Sequence, residues 1–247
     1  MSAITKTAAD AQHDQSGQYY ALQPEYNWQF LLESSLAKRL GASAALCLPG
    51  FESLQYFAIQ SLLRSGQNLL VCGDIAPDWE LFLRQRLHPQ GIGAKHSYTG
   101  DSTGYEAKLD PETRLLYWFA PATITPKTLA DLAVLHKLSR HYRLPLLADL
   151  RQCQDRNFDP FAHGCTLQLG GGQPQGFAWL AETDSFSWNS GYFSAIAQQE
   201  EQAGLCAYIR KQWLSFLHLG LGDTQASEAW QQLLSGRLVL TSKTATA

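Results

Sequence analysis

Residues 114–152 read RLLYWFAPATITPKTLADLAVLHKLSRHYRLPLLADLRQ, and the fold is decided here. Leu115 to Phe119 is a continuous apolar run, as in a strand buried on both faces. Pro121 and Pro126 bracket a loop. Leu129, Leu132, Leu135 and Leu138 then recur at i, i+3 spacing, which puts them on one face of a helix. The helix runs into Leu144 to Ala148, a second apolar strand that stops at Asp149. Pro145 stands at the start of that strand, where a proline is tolerated.

The same alternation extends to both sides. Upstream, Leu32, Leu36 and Leu40 predict a helix from Asn27 to a C-cap at Gly41. A strand is expected over Ala44 to Leu48, then a Pro49-Gly50 break and a helix to about Leu63. Leu69 to Cys72 reads as a strand, and Pro77 opens a helix holding Trp79, Leu81, Phe82 and Leu87. Downstream, a strand at Thr166 to Leu169 leads into Gly170-Gly171-Gly172, and Phe177 to Leu180 runs back. A long helix is expected over 195–219, and a helical piece holds Trp230, Leu233 and Leu234. Strands alternating with amphipathic helices predict a three-layer α/β/α domain with a mostly parallel sheet. Ligands in such sheets sit beyond the carboxyl ends of the strands. The stretches to examine are therefore 49–51, 73–74, 120–125, 149–152 and 170–173.

Composition narrows the classes. A hydrophobic fraction of 45% against 17% charged is that of a globular chain with a sizeable core. The net charge of -3 offers no basic face for nucleic acid. The amino-terminal MSAITKTAADAQHDQSGQ has no apolar stretch of the secretory kind, and no segment is apolar for long enough to suggest a membrane span. Five cysteines at 47, 72, 153, 165 and 206 form no C-x-x-C pair and read as free thiols of a cytoplasmic protein. Residues 1–18 are expected to be a flexible arm and 241–247 a polar tail, leaving 19–240 as the domain.

The order of pieces resembles the pyridoxal-phosphate (PLP) enzymes of cysteine and methionine metabolism, the cystathionine γ-synthase-like family. The stretch 114–152 is similar to the family's strand, E-x-P-x-N-P loop, helix and aspartate-ended strand, with Pro121 at the loop's first proline. LLESSLAKRLGASAALCLPGFESLQYFAIQSLLRSGQNLLVCGD, 31–74, looks like its helix, strand, Ser-Gly-Met turn, helix and strand. SFLHLGLGDTQASEAWQQLLSGRLVL looks like the segment that closes the large domain. The resemblance implies the fold type I large domain, and it implies that a chain ending at Ala247 lacks the family's smaller carboxyl-terminal domain. It also implies oligomers whose active sites are completed across subunits.

Chemistry in that family needs a Schiff-base lysine, a carboxylate for the pyridinium nitrogen, a phosphate turn and a stacking ring. The resemblance places Asp149 at the carboxylate. It places Gly50 and Phe51, after Pro49, in the phosphate turn, where Pro49 removes a donor and Glu52 adds a repelling charge. Ala76 falls at the stacking tyrosine and Thr123 at the loop asparagine, with Trp79 more readily read as core. The tyrosine and arginine that reach a neighbouring subunit fall near Ala21 and Gln23, with Tyr20 adjacent. Gln173 takes the lysine's position, and no lysine occurs between Lys137 and Lys211. No catalytic residue and no covalent cofactor are expected.

Other signals point to ordinary structure. G-x-S-x-G at 100–104 has polar flanks, unlike a nucleophile elbow. Cys153, His163 and Cys165 match no metal spacing. Gly91-Ile92-Gly93 lacks the third glycine of a dinucleotide loop and reads as a turn. Gly170 to Gly172 reads as flexible or tightly turned backbone. Trp28, Trp188 and Trp213 serve either the core or an interface. The leading expectation is a catalytically inactive homologue that associates with itself or with another protein. The alternatives are a sulfur amino-acid enzyme or binder that holds PLP or another small anion without a covalent bond at Asp149, and an unrelated flavodoxin-like or nucleotide-binding domain.

Overall fold

A computed structural model describes residues 24–98, 104–171, 177–189, 192–197 and 204–218. The expected arm, the tail, the Trp230 segment, Gly172 and Gln173 lie outside the described residues, as do Ala21, Gln23 and most of G-x-S-x-G. Helix α1 (Pro24–Leu40) leads to β1 (Ala44–Pro49), α2 (Phe51–Leu62) and β2 (Asn68–Gly73). A single turn, α3 (Trp79–Phe82), continues as a wide π turn over Leu83–Leu87 and a 3-10 turn to Gln90, which precedes β3 (Gly93–Ser97). Then come β4 (Thr113–Phe119), α4 (Pro126–Tyr142), β5 (Leu146–Asp149), β6 (Leu167–Gly171), β7 (Phe177–Glu182), α5 (Ser194–Ala197) and α6 (Leu205–His218).

Among the described residues the strands form one seven-stranded sheet in the order β1-β7-β6-β5-β4-β2-β3. Strand β7 is antiparallel to both neighbours, and every other pairing is parallel. The expected α/β/α sandwich is therefore present. On one face α2, Trp79, Phe82 and α6 cover Leu46, Leu48, Leu69, Val71, Leu115, Tyr117 and Leu147. On the other, Leu132, Leu135 and Leu138 of α4 cover Leu70, Cys72, Leu116, Trp118, Leu146 and Ala148. Helix α1 adds Leu32, Leu36 and Leu40 over Ala45, Cys47, Trp179 and Ala181. Thr125 caps α4 reciprocally with Thr128, and Pro126 fills the first helical position.

Three expectations need correction. Strand β3 was not among the expected elements; its sequence, GAKHS, has only one apolar side chain, and it sits at the sheet edge beside β2. The Gly91 turn is real, with φ 72, and it delivers the chain into β3. Gly170 and Gly171 belong to β6 rather than to a turn after it. Gly170 lies opposite Trp179 of β7, and a Cβ there would stand 2.3 Å from the indole ring. The glycine is thus a berth for a cross-strand ring. The single long helix expected over 195–219 divides among the described residues into α5 and α6, with Gly204 in a bend before α6.

Trp188 and Trp213 are packing residues. Trp188 is buried against Phe186 and Phe193, and Trp213 meets Phe57 edge to face. All five cysteines are free thiols: Cys47, Cys72, Cys165 and Cys206 are buried, and Cys153 is half-buried. No group of His, Cys, Asp and Glu among the described residues could hold a metal ion. No helix among them is long and apolar enough to cross a membrane.

Candidate functional site

The carboxyl ends of β1, β2, β4 and β5 point the same way, and their following residues converge. Gly50 follows β1 with φ 78 and ψ 126, a conformation that glycine adopts without strain. It starts α2, whose first residue is Phe51. Asp149 is the last residue of β5 and is 1% exposed. Alternation along the strand puts it with Leu147 on the face that α2 covers. Tyr117 of β4 lies on the same face.

A buried carboxylate must be paired or hydrogen-bonded. Asp149 is both. The Tyr117 hydroxyl donates to its Oδ2 at 2.8 Å, and Gln55 Nε2 of α2 donates to that hydroxyl at 2.7 Å. The backbone N–H of Arg151 donates to Oδ1 at 3.1 Å, closing an Asx turn. Arg151 Nε reaches Oδ1 at 3.2 Å and Oδ2 at 3.1 Å, and its other end nitrogen lies 3.0 Å from Oδ2. Its remaining terminal nitrogen donates to Asp78 at 3.0 Å. The guanidinium carbon stands 4.1 Å from the centre of the Phe51 ring and 5.8 Å from that of Phe119.

Burial works against the Arg151 charge, but Asp149, Tyr117 and Asp78 outweigh it and draw its pKa upward. Burial, and then the charge of Asp149, push the Tyr117 phenol well above its ordinary range. Tyr117 therefore stays a neutral donor. The cluster can hold one planar cation between Asp149 and Phe51, and that cation is Arg151.

The structure brings Asp149 and Phe51 together, with Gly50 setting the entry to α2. Thr123 is exposed, and Ala76 packs in the core. Trp79 is fully buried; its ring lies 5.3 Å from Tyr117 and 5.5 Å from Phe119, and its Nε1 donates to His96 Nε2 at 2.9 Å. It is a core residue, as the sequence favours. Glu52 forms a surface pair with Arg86 at 2.6 Å. Sequence reasoning missed Arg151, Tyr117, Gln55 and Asp78. The spacing Asp-x-Arg after a strand was a usable signal, because an Asx turn returns residue i+2 to the aspartate.

No protein-family model matches the chain. An L-methionine gamma-lyase of Pseudomonas putida is 26% identical over 167 residues, covering 64% of this chain and 41% of that protein. Among solved structures, the O-acetylhomoserine sulfhydrylase of Wolinella succinogenes superposes with a TM-score of 0.66 at 20% identity, covering 92% of this chain and 63% of its own. A Campylobacter jejuni protein described as an O-acetylhomoserine (thiol)-lyase, which carries a pyridoxyl-lysine-5'-monophosphate residue, gives 0.64 at 15% identity. It is matched over 84% of this chain and 57% of its own. The chain thus spans less than two thirds of each relative. By sequence it is similar to L-methionine gamma-lyase over part of that protein, and its fold matches the large domain of PLP-dependent fold type I structures.

Proposed function

We propose that this chain is a non-catalytic relative of those enzymes and works by associating with itself or with another protein. One observation carries the reading: no lysine lies between Lys137 and Lys211, the stretch in which the resemblance would require the Schiff-base lysine, and Gln173 is the residue we assign to its position. A glutamine amide is not a nucleophile, so no covalent attachment to the cofactor follows. The described side chains also fit PLP poorly. Both oxygens of Asp149 are engaged by Arg151, and the Phe51 ring is covered by the same guanidinium. A pyridinium nitrogen would find no vacant carboxylate. Phe30 and Leu31, exposed by 54% and 44% on α1, offer apolar area for association.

The test is spectroscopic and hydrodynamic. The purified chain is expected to be colourless, to gain no visible band with added PLP, and to scatter light as an oligomer. A PLP band that Asp149→Ala abolishes would replace this reading with a cofactor binder. A strict monomer without a protein partner would remove the association half.

A further inference from the structure

Asp149 poses a physical problem once no cofactor cation is expected. It is an almost wholly buried carboxylate at the end of a buried strand, and an uncompensated charge there is strongly unfavourable. We propose that Arg151 is a built-in occupant of the site: its guanidinium pairs with Asp149 in the role that a protonated pyridine nitrogen would play, and it is held there over the Phe51 ring. The inference rests on the functional reading above, in which no cofactor is attached.

Three features support an occupant rather than an incidental ion pair. The first is the match of charge and shape. A guanidinium is planar, permanently protonated and stacks on aromatic faces, properties that a compact ammonium does not share. Arg151 uses all of them, over Phe51 at 4.1 Å and along Asp149 through two nitrogens. The second is confinement. The Arg151 side chain is 16% exposed, and Asp78 holds its far nitrogen from the loop after β2. The cation is therefore clamped between residues from three strand ends. The third is the setting of the carboxylate, since the Gln55–Tyr117–Asp149 chain of hydrogen bonds also fixes it.

The experiment uses the full chain and thermal unfolding. Arg151→Ala is expected to lower Tm by on the order of 10 °C, because it strands a buried carboxylate. Added methylguanidinium, the truncated head group, is expected to raise the midpoint of Arg151→Ala. It should not raise that of the unaltered chain or of Asp149→Asn/Arg151→Ala. An unchanged midpoint in Arg151→Ala overturns the inference, and so does the lack of an Asp149-dependent rescue. If Arg151→Ala does not fold, Asp149→Asn/Arg151→Met decides. Near-native stability of that double variant supports the inference, because both charges are gone together, and its failure to fold overturns it. None of these readouts involves PLP or association, so the inference and the functional reading can fail separately.

Discussion

Asp149 and Arg151 are two residues apart, yet their pairing depends on Phe51 and Asp78, which come from far away in the chain. The sequence makes the aspartate legible because it ends an apolar strand. The arginine is not legible in the same way: the direction of a loop side chain depends on which faces the other loops leave open. Gly170 shows the same asymmetry. In sequence it is one of three glycines that read as loose backbone, and in the sheet it is the space that the Trp179 ring fills. Gly170→Ala is therefore expected to cost about 1–3 kcal/mol by overpacking. Gly170→Ala/Trp179→Ala should lose less than the sum of the two single variants, because the clash vanishes with the ring. Urea unfolding of the three variants checks this, and strict additivity would refute the clash.

At the scale of elements, β1 is an edge strand with hydrophobic residues, a liability in any open sheet. Its outer side is closed from both layers. Glu33 of α1 is 3% exposed and accepts the Cys47 backbone N–H at 2.8 Å. Arg210 of α6 pairs with Glu33 and also reaches the Ala45 carbonyl at 3.5 Å. The pair thus laces α1 to α6 around the strand and meets two of its outward backbone groups, the Cys47 N–H and the Ala45 carbonyl. Glu33→Ala should cost about 2–4 kcal/mol and lower Tm by on the order of 10 °C, since it orphans a buried N–H and strips Arg210 of its partner. Calorimetry on Glu33→Ala and Arg210→Ala would show whether the two losses overlap, as a shared interaction requires. Long apolar strands such as β4 and periodic helices such as α4 were readable because their own residues dictate them. Strand β3 was not, because parallel pairing with β2 carries it rather than hydrophobic content.

At the scale of the whole molecule, stability depends on pH through a few groups with distinct signs. Burial raises the pKa of Glu182, outweighing the Leu205 and Cys206 backbone N–H groups that it accepts at the start of α6. Its folded form therefore binds a proton more readily than its unfolded form. The stability that it contributes is full below its unfolded pKa, near 4.5, and declines as pH rises through the higher folded value. Glu182→Gln lacks this titration, so the unaltered chain should lose stability relative to the variant between pH 4.5 and pH 7. Urea midpoints at both pH values test the sign. Asp110 acts the other way. Its pairing with Lys95, joined by Asn68, holds its carboxyl well below the usual range, and its contribution fades in acid. The group is exposed enough for solvent to keep the effect small.

The four buried cysteines lend the chain one more property. Burial raises the thiol pKa of Cys47, Cys165 and Cys206, so these side chains meet an alkylating reagent neither as thiolates nor at the surface. They are spread over β1, the approach to β6 and the start of α6, with Cys72 on β2. Each becomes reactive only when its own part of the sandwich opens. The chain thus carries an intrinsic clock of its breathing motions, in which the order of thiol modification records the order in which its layers come apart.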